Sequence, residues 1–443
     1  MENELFDTQH LAKTYFGLAT PVVLGMLVSL VYNLADTWFI AAAGNTMLVA
    51  GVSLCSPVFT ALMAFGNIYG QGGSSVISRL LGRHDSENTA RVSAFCFYIA
   101  LLTGLVLGGL MLLLRSQLLG LFGATAETVE YAGPYYTILA LGAPLIVVNF
   151  IHMNLLRCEG MSKQSMYGTV LGSLVNIVLD PIMISGLGWG AVGAAIATVI
   201  GYAVSDSFLL LIVLKHSRCL SVDIRQVKIS GGFAAQIFGV GITAALSNLM
   251  SSAAVILMNR FLLPYGNDRI AAMGIVTKIN MIPNMLIIGY AFGGVPLFGY
   301  LYGAQRREKL GELMRLVGAF LCGLALLLSA VVFVLAGPLM RLFMENAGIV
   351  SLGTLMLRLQ VLGNAFAGLV LLMTVLFQAS GKVVSSFVMS VSRQGVVYLL
   401  ALILLKQLAG YTGILIAQAA ADLLSAVIGL LLYRFVFLAG QRK

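Results

Sequence analysis

Residues 176–198 read Asn176-Ile-Val-Leu-Asp180-Pro181-Ile-Met-Ile-Ser-Gly186-Leu-Gly-Trp-Gly190-Ala-Val-Gly-Ala-Ala-Ile-Ala-Thr198. An apolar run carrying a single carboxylate stops in a glycine-rich turn and resumes as a second run of small apolar residues. The apolar character reaches back to residue 164 and continues forward to residue 214. Each side then has at least the ~20 residues that cross a bilayer. The block therefore predicts two antiparallel membrane spans joined by the turn Gly186–Gly190. An acid inside such a span costs at least about 2.5–3.5 kcal/mol on insertion scales. Asp180 accordingly marks function, as its surroundings mark a membrane.

The rest of the chain is of the same kind. Its 443 residues are 59% hydrophobic and 10% charged, with a mean hydropathy of +0.97, against about 25% charged residues in a soluble domain. A cytosolic enzyme, a secreted scaffold and a disordered linker are excluded together. Turn-rich and charged breaks divide the chain into twelve spans, near 14–43, 48–78, 92–114, 129–156, 164–186, 191–214, 233–263, 270–302, 316–336, 351–377, 384–405 and 412–434. The expected fold is an all-α integral membrane protein. The five cysteines, Cys55, Cys96, Cys158, Cys219 and Cys322, are scattered without a C-x-x-C and read as small packing residues.

Charge placement gives the topology. The first thirteen residues and every second loop hold 18 of the 26 Lys and Arg, whereas the opposite loops hold chiefly Arg115, Arg269, Arg341 and Lys406. The positive-inside rule then puts both termini in the cytoplasm of a cell (inner) membrane. The net charge of +9 is thus a topology signal and not a nucleic-acid footprint. Glu2, Glu4 and Asp7 replace the basic lead of a signal peptide, and no cleavage is expected.

Half the chain repeats the other half. Leu141-Gly142 through Glu159-Gly160 is echoed by Leu362-Gly363 through Ser380-Gly381 at an offset of 221, and Phe16-Gly17 pairs with Phe238-Gly239 at 222. Two six-helix lobes of one orientation, related by a pseudo-twofold axis along the membrane normal, are predicted. Their bounds are 1–214 for the N-lobe, 215–232 for a cytoplasmic linker and 233–443 for the C-lobe. Two such bundles suit alternating access. The lobes are unequal, because Asp36 corresponds to Met258 and Asp180 to Ala401.

Depth brings the acids together. Asp180 lies nine residues before Trp189, at the centre of the turn, and Thr198 nine after, so both sit roughly 13 Å below it. Asp36 precedes the Gly44-Asn45 turn by eight to nine residues, which gives a similar level. Asn176 stands at i−4 from Asp180 and Tyr32 at i−4 from Asp36, each on its acid's helix face. Two carboxylates, an amide, a hydroxyl and a phenol suit a hard cation such as Na+. They suit H+ equally, because desolvation and mutual repulsion disfavour two bare carboxylates. A satisfied interhelical hydrogen-bond network is the bland alternative.

Other embedded polar groups carry weaker signals. Asp206 and Asp422 are expected to face a cavity or to pair with Arg393 or Lys278, Lys278 being also a candidate fixed cation. Arg157 and Glu159 read as an interfacial ion pair, His152 as a satisfied core imidazole and Pro21 as a kink.

Tyr32-Asn33-x-x-Asp36-Thr37, Asn176-x-x-x-Asp180-Pro181 with Gly190 through Thr198, the Glu159-Gly160 turn and Ser392-Arg393-Gln394 resemble the multidrug and toxic compound extrusion (MATE) transporters over essentially the whole chain. The resemblance implies a two-lobed, twelve-helix antiporter that expels amphipathic, mostly cationic compounds in exchange for H+ or Na+. It assigns the cation site, including a Na+ ion if that is the coupling ion, to Asp36, Asn176, Asp180 and Thr198. It also suggests drug contacts at Tyr135, Asn149, Asn154 and Ser173, to which Tyr32 is added. Other branches use acids in the seventh and tenth spans, and these spans contain none here. Beyond the coupling ion no cofactor is implied, and the expected partners are small amphipathic cations and membrane lipids, with no nucleic acid and a monomeric protein.

The alternative within the same superfamily is a lipid-linked precursor flippase, which needs a cationic cavity where this chain offers acids. An intramembrane enzyme lacks support, since there is no H-E-x-x-H, no Walker A loop and only four His.

Overall fold

The computed structural model describes residues 5–42 and 44–438. Ala43, the last residue expected in the first span, and Glu2, Glu4, Arg442 and Lys443 of the terminal charge pattern lie outside them. Ten apolar helical runs come first: α1 Leu11–Ala42, α2 Thr46–Gly82, α3 Ser86–Leu113, α4 Val129–Cys158, α5 Ser162–Gly186, α6 Gly190–His216, α7 Gly231–Tyr265, α8 Asn267–Gly303, α9 Arg307–Val334 and α10 Ala347–Ala379. The eleventh run, Val383–Phe437, is 55 residues long and is interrupted twice, first at Gly395 (φ −112, ψ −113), which parts Val383–Gln394 from Val396–Tyr433. Gly410 inside it has φ 57 and ψ −128, a conformation that a residue without a Cβ adopts cheaply. Its halves are α11 (383–409) and α12 (411–437), and with them the twelve crossings expected from the sequence are present.

Helix starts are where the sequence reading falls short. α3 begins six residues before the expected 92 and α9 nine before the expected 316. The reason is local: Asp85 Oδ1 accepts from the Asn88 N–H at 3.1 Å, and Glu87 and Glu308 lie in first turns, where a negative charge meets the positive helix end. Apolarity marks the buried length of a span, whereas capping marks its true end. Likewise Asn346 Oδ1 accepts from the Gly348 and Ile349 N–H groups at 2.9 and 3.2 Å and starts α10. Ahead of α1, Asp7 Oδ1 accepts from the Gln9 and His10 amides. The His10 ring, 2.9 Å from Asp7 Oδ2, holds that carboxyl below its usual range.

Two compact units emerge, one built on Thr20–Gly241 and the other on Asp7–Ala19 with the chain from Ile242 onward. In the first, α4 is the hub, packed against α2, α3 and α6; in the second, α10 holds the same place against α8, α9 and α12. The repeat is visible atom by atom. A Cβ on Gly142 of α4 would meet Val199 of α6, and one on Gly363 of α10 would meet Ala419 of α12. Large apolar side chains such as Leu113, Leu121 and Leu408 are 78%, 78% and 81% exposed. A bilayer, unlike water, exacts no penalty for them.

Candidate functional site

Glycine contacts set the spacing of the α5–α6 hairpin. A Cβ on Gly172 would stand 2.7 Å from the Gly201 carbonyl oxygen, and one on Gly201 would stand 2.8 Å from that of Gly172. At the turn end, a Cβ on Gly193 would lie 2.6 Å from the Met183 oxygen. The backbones are therefore pinned together on both sides of the stretch between, where Asn176, Asp180 and Thr198 lie. Pro181 follows Asp180 without an N–H to donate, and Ile182–Gly186 widens into a π turn closed by Leu187 N–H to Ile182 O at 2.8 Å. Such widened turns recur at functional sites.

Asp180 is fully buried. With its amide nitrogen toward Asp180, Asn176 donates to Asp180 Oδ2 at 2.9 Å and accepts from the Thr198 backbone N–H at 3.0 Å. The reverse orientation offers only a 3.4 Å contact to Thr198 Oγ1, so the first satisfies the amide and the second does not. Thr198 Oγ1 donates to Ala194 O at 2.9 Å and retains lone pairs. From α1, Asp36 meets Asp180 side chain to side chain, and Tyr32, one turn earlier, faces Thr198. Tyr135 of α4 flanks the acids, and Tyr202 of α6 stands beside Tyr32 and Tyr135. Asp36 Oδ1 and Asp180 Oδ1 have no hydrogen-bond partner among the described residues. They are the open acceptors that a proton or a small cation would find in a cluster otherwise made of oxygen ligands and one amide.

The structure thus brings Asp36, Asn176, Asp180, Thr198, Tyr32 and Tyr135 together. Ser173 is buried in α5, three residues before Asn176. Asn149 belongs to a separate pair, donating to Ser205 Oγ at 2.9 Å and to Asp206 Oδ1 at 2.8 Å. Asn154 donates to Phe150 O of its own helix at 2.7 Å. Asn33 and Thr37 of the first motif likewise bond along α1. Tyr202 was not among the residues singled out from sequence. Its signal was present, because Thr198, Tyr202 and Asp206 recur every four residues on one face of α6.

Several expectations need correction. Arg157 and Glu159 do not pair with each other. Arg157 Nε donates to Ser165 Oγ at 3.1 Å, and Glu159 Oε1 accepts from the Cys219 and Leu220 amides at 2.7 and 3.1 Å. The carboxylate satisfies the backbone of the connection after α6, a need invisible in a linear sequence. His152 is buried but not satisfied, since both ring nitrogens lack partners among the described residues and the ring stacks on Phe97 at 5.2 Å. Asp206 takes an amide and not a cation, and its Oδ2 is unpartnered. Asp422 does pair with Arg393, at 2.9 Å. Lys278 is exposed on α8.

The close contact gives a direct test. Gly201→Val places branched carbons where only 2.8 Å is available to a backbone oxygen, and overpacking of this kind costs about 1–3 kcal/mol. Thermal unfolding in detergent is expected to show the loss, with Gly109→Val, where a Cβ meets nothing within 4 Å, unchanged. Equal melting temperatures would mean that α5 and α6 are not held at this spacing.

Comparison with known proteins matches the chain and its fold to a group. A MatE family model fits residues 21–182 and again 243–403, once in each half of the chain. The multidrug export protein MepA of Staphylococcus haemolyticus is 30% identical over 425 residues, covering 96% of this chain and 94% of its own. Among solved structures, a MATE in complex with MaL6 superposes with a TM-score of 0.92 at 26% identity, over 100% of both chains. A multidrug resistance MATE family transporter of the MOP superfamily, in an outward-facing conformation, superposes at 0.90 and 28%, over 97% of this chain and 96% of that one.

Proposed function

This chain belongs to the MatE family of membrane transporters, and from that membership we propose that it exports amphipathic, mostly cationic compounds by antiport with H+ or Na+. It is a multi-pass membrane protein and a multidrug efflux transporter, not an enzyme. The observation that carries the antiport reading is the contact between Asp36 and Asp180, each with one carboxylate oxygen free. Two carboxylates in a site of low dielectric repel each other, and that repulsion is relieved by a proton, by Na+ or by the positive charge of a substrate.

The three therefore compete. Substrate binds the charged pair, with Tyr32 and Tyr135 offering aromatic faces to a cation. An ion arriving from outside neutralises the pair and weakens the hold on substrate, which leaves outward. Discharge of the ion into the cytoplasm restores the accepting form. Asn176 keeps Asp180 oriented through both states, and Thr198 supplies a neutral oxygen to the ion. In the family pattern Asn149, Asn154 and Ser173 extend the substrate surface. No further cofactor is needed, and the protein works as a monomer in a cell (inner) membrane with both termini cytoplasmic. The weight of Lys and Arg in every second loop supports that sidedness.

The test is uptake of a fluorescent cationic dye by inverted reconstituted vesicles under imposed Na+ and pH gradients, applied separately. One of the two is expected to drive uptake and so names the coupling ion. If neither moves dye while a lipid-linked anion is translocated, a flippase replaces this reading.

A further inference from the structure

The connection between α9 and α10 holds a cavity with charged side chains in its wall, within the unit that contains neither Asp36 nor Asp180. Its short helix Ala336–Phe343 and the first turns of α10 wall a space of about 770 Å3 whose lining includes Arg341, Arg358, Glu345 and Ser351. Both arginines are exposed, and neither forms an ion pair among the described residues. Arg358 donates from Nε to Phe333 O at 3.3 Å and lies over the Phe333 ring at 5.3 Å. That fixes the guanidinium plane and leaves its two Nη groups for an outside acceptor.

The surroundings say what kind of acceptor. Val334, Leu342, Phe343 and Leu355, next to these arginines, are 71%, 79%, 53% and 49% exposed, so this surface is apolar and meets lipid. Arg358 stands eleven residues into α10, about 16 Å from its start. An exposed guanidinium so far along a membrane helix needs either a route to the interface or an anion beside it. Arg341, on the short interfacial helix, aims a second guanidinium at the same space. Two cations against the single carboxylate of Glu345 leave the cavity positive. A basic pocket at the end of a membrane helix suits the phosphate of a lipid head group.

We propose that the cavity binds the phosphate of an anionic glycerophospholipid, held by Arg341 and Arg358, with the acyl chains lying along Val334, Leu342 and Leu355. This site is independent of the transport cycle above and stands or falls without it.

The test is native mass spectrometry of the purified, delipidated full chain titrated separately with phosphatidylglycerol, phosphatidylcholine and inorganic phosphate. Wild type is expected to retain phosphatidylglycerol at least about tenfold better than phosphatidylcholine. The Arg341→Gln/Arg358→Gln double variant loses that preference, whereas Arg341→Lys/Arg358→Lys keeps most of it. Should the double Gln variant not fold, Arg341→Gln alone, on the surface helix, is expected to show a smaller loss. Equal retention of the two lipids by wild type, or an undiminished preference in the folded Gln variants, overturns the proposal. Displacement of phosphatidylglycerol by millimolar inorganic phosphate assigns the cavity to a free anion and overturns the lipid.

Discussion

Asp180→Asn and Asp36→Asn are each expected to reduce gradient-driven dye uptake to the background of protein-free vesicles. The substitution keeps the shape of the side chain and removes its charge, so what is lost is the exchange between ion and substrate. A neutral amide at either position ends the mutual repulsion that makes the pair take up a cation. Stability moves the other way. Asp180 is fully buried with one oxygen unpartnered, and an embedded Asp costs at least about 2.5 kcal/mol on insertion scales. The Asn variant escapes that cost and retains its neighbour Asn176. Its melting temperature in detergent is expected to equal or exceed that of wild type, which separates lost coupling from lost folding. Normal uptake by both single variants would end the proposal that these acids couple transport. A lowered melting temperature with lost uptake would make them structural.

How far this could be read in advance depends on which physics wrote each feature. The twelve spans were legible because a bilayer enforces length and apolarity over every crossing. The two-lobed repeat was legible because Gly142 and Gly363 must each admit a neighbouring helix at the same place in each half. Depth counting from turns brought Asp36, Asp180 and Thr198 to one level, since rise per residue is fixed in a helix. Helix rotation is not fixed by depth, and there the reading ran out. Asn149 and Asn154 share a helix with Tyr135, yet Asn149 turns to Asp206 and Asn154 to its own backbone. Glu159 was assigned to Arg157 because they are near in sequence, whereas its partners are the amides of Cys219 and Leu220, some sixty residues away. Backbone groups awaiting an acceptor leave no mark in composition. Gly410 falls in the break expected between 405 and 412, but nothing in the sequence marked it as the bend of a 55-residue helical run.

The second large effect belongs to a buried acid of the other unit. Asp422 has a side chain only 2% exposed and is held by Arg393 Nε at 2.9 Å and Gln418 Nε2 at 3.1 Å. Arg393→Leu strips the cation from a carboxylate that has no way out to water, and breaking a buried pair on one side costs about 3–5 kcal/mol. Asp422→Leu should cost less, because the Arg393 side chain is 15% exposed and can turn toward polar surroundings. Removing both as Arg393→Leu/Asp422→Leu is expected to restore most of the loss, since an apolar pair carries no desolvation penalty. Equilibrium unfolding of the four proteins in detergent gives the coupling energy directly. The contrast with Asp36 and Asp180 is the point of the cycle. Asp422 is charge-compensated from within its own unit, whereas the other two acids face each other with no Lys or Arg hydrogen-bonded to either among the described residues. If Arg393→Leu unfolds no more easily than wild type, Asp422 does not depend on that guanidinium. It then joins the acids free to exchange a proton, and the coupling assignment has to be widened to both units.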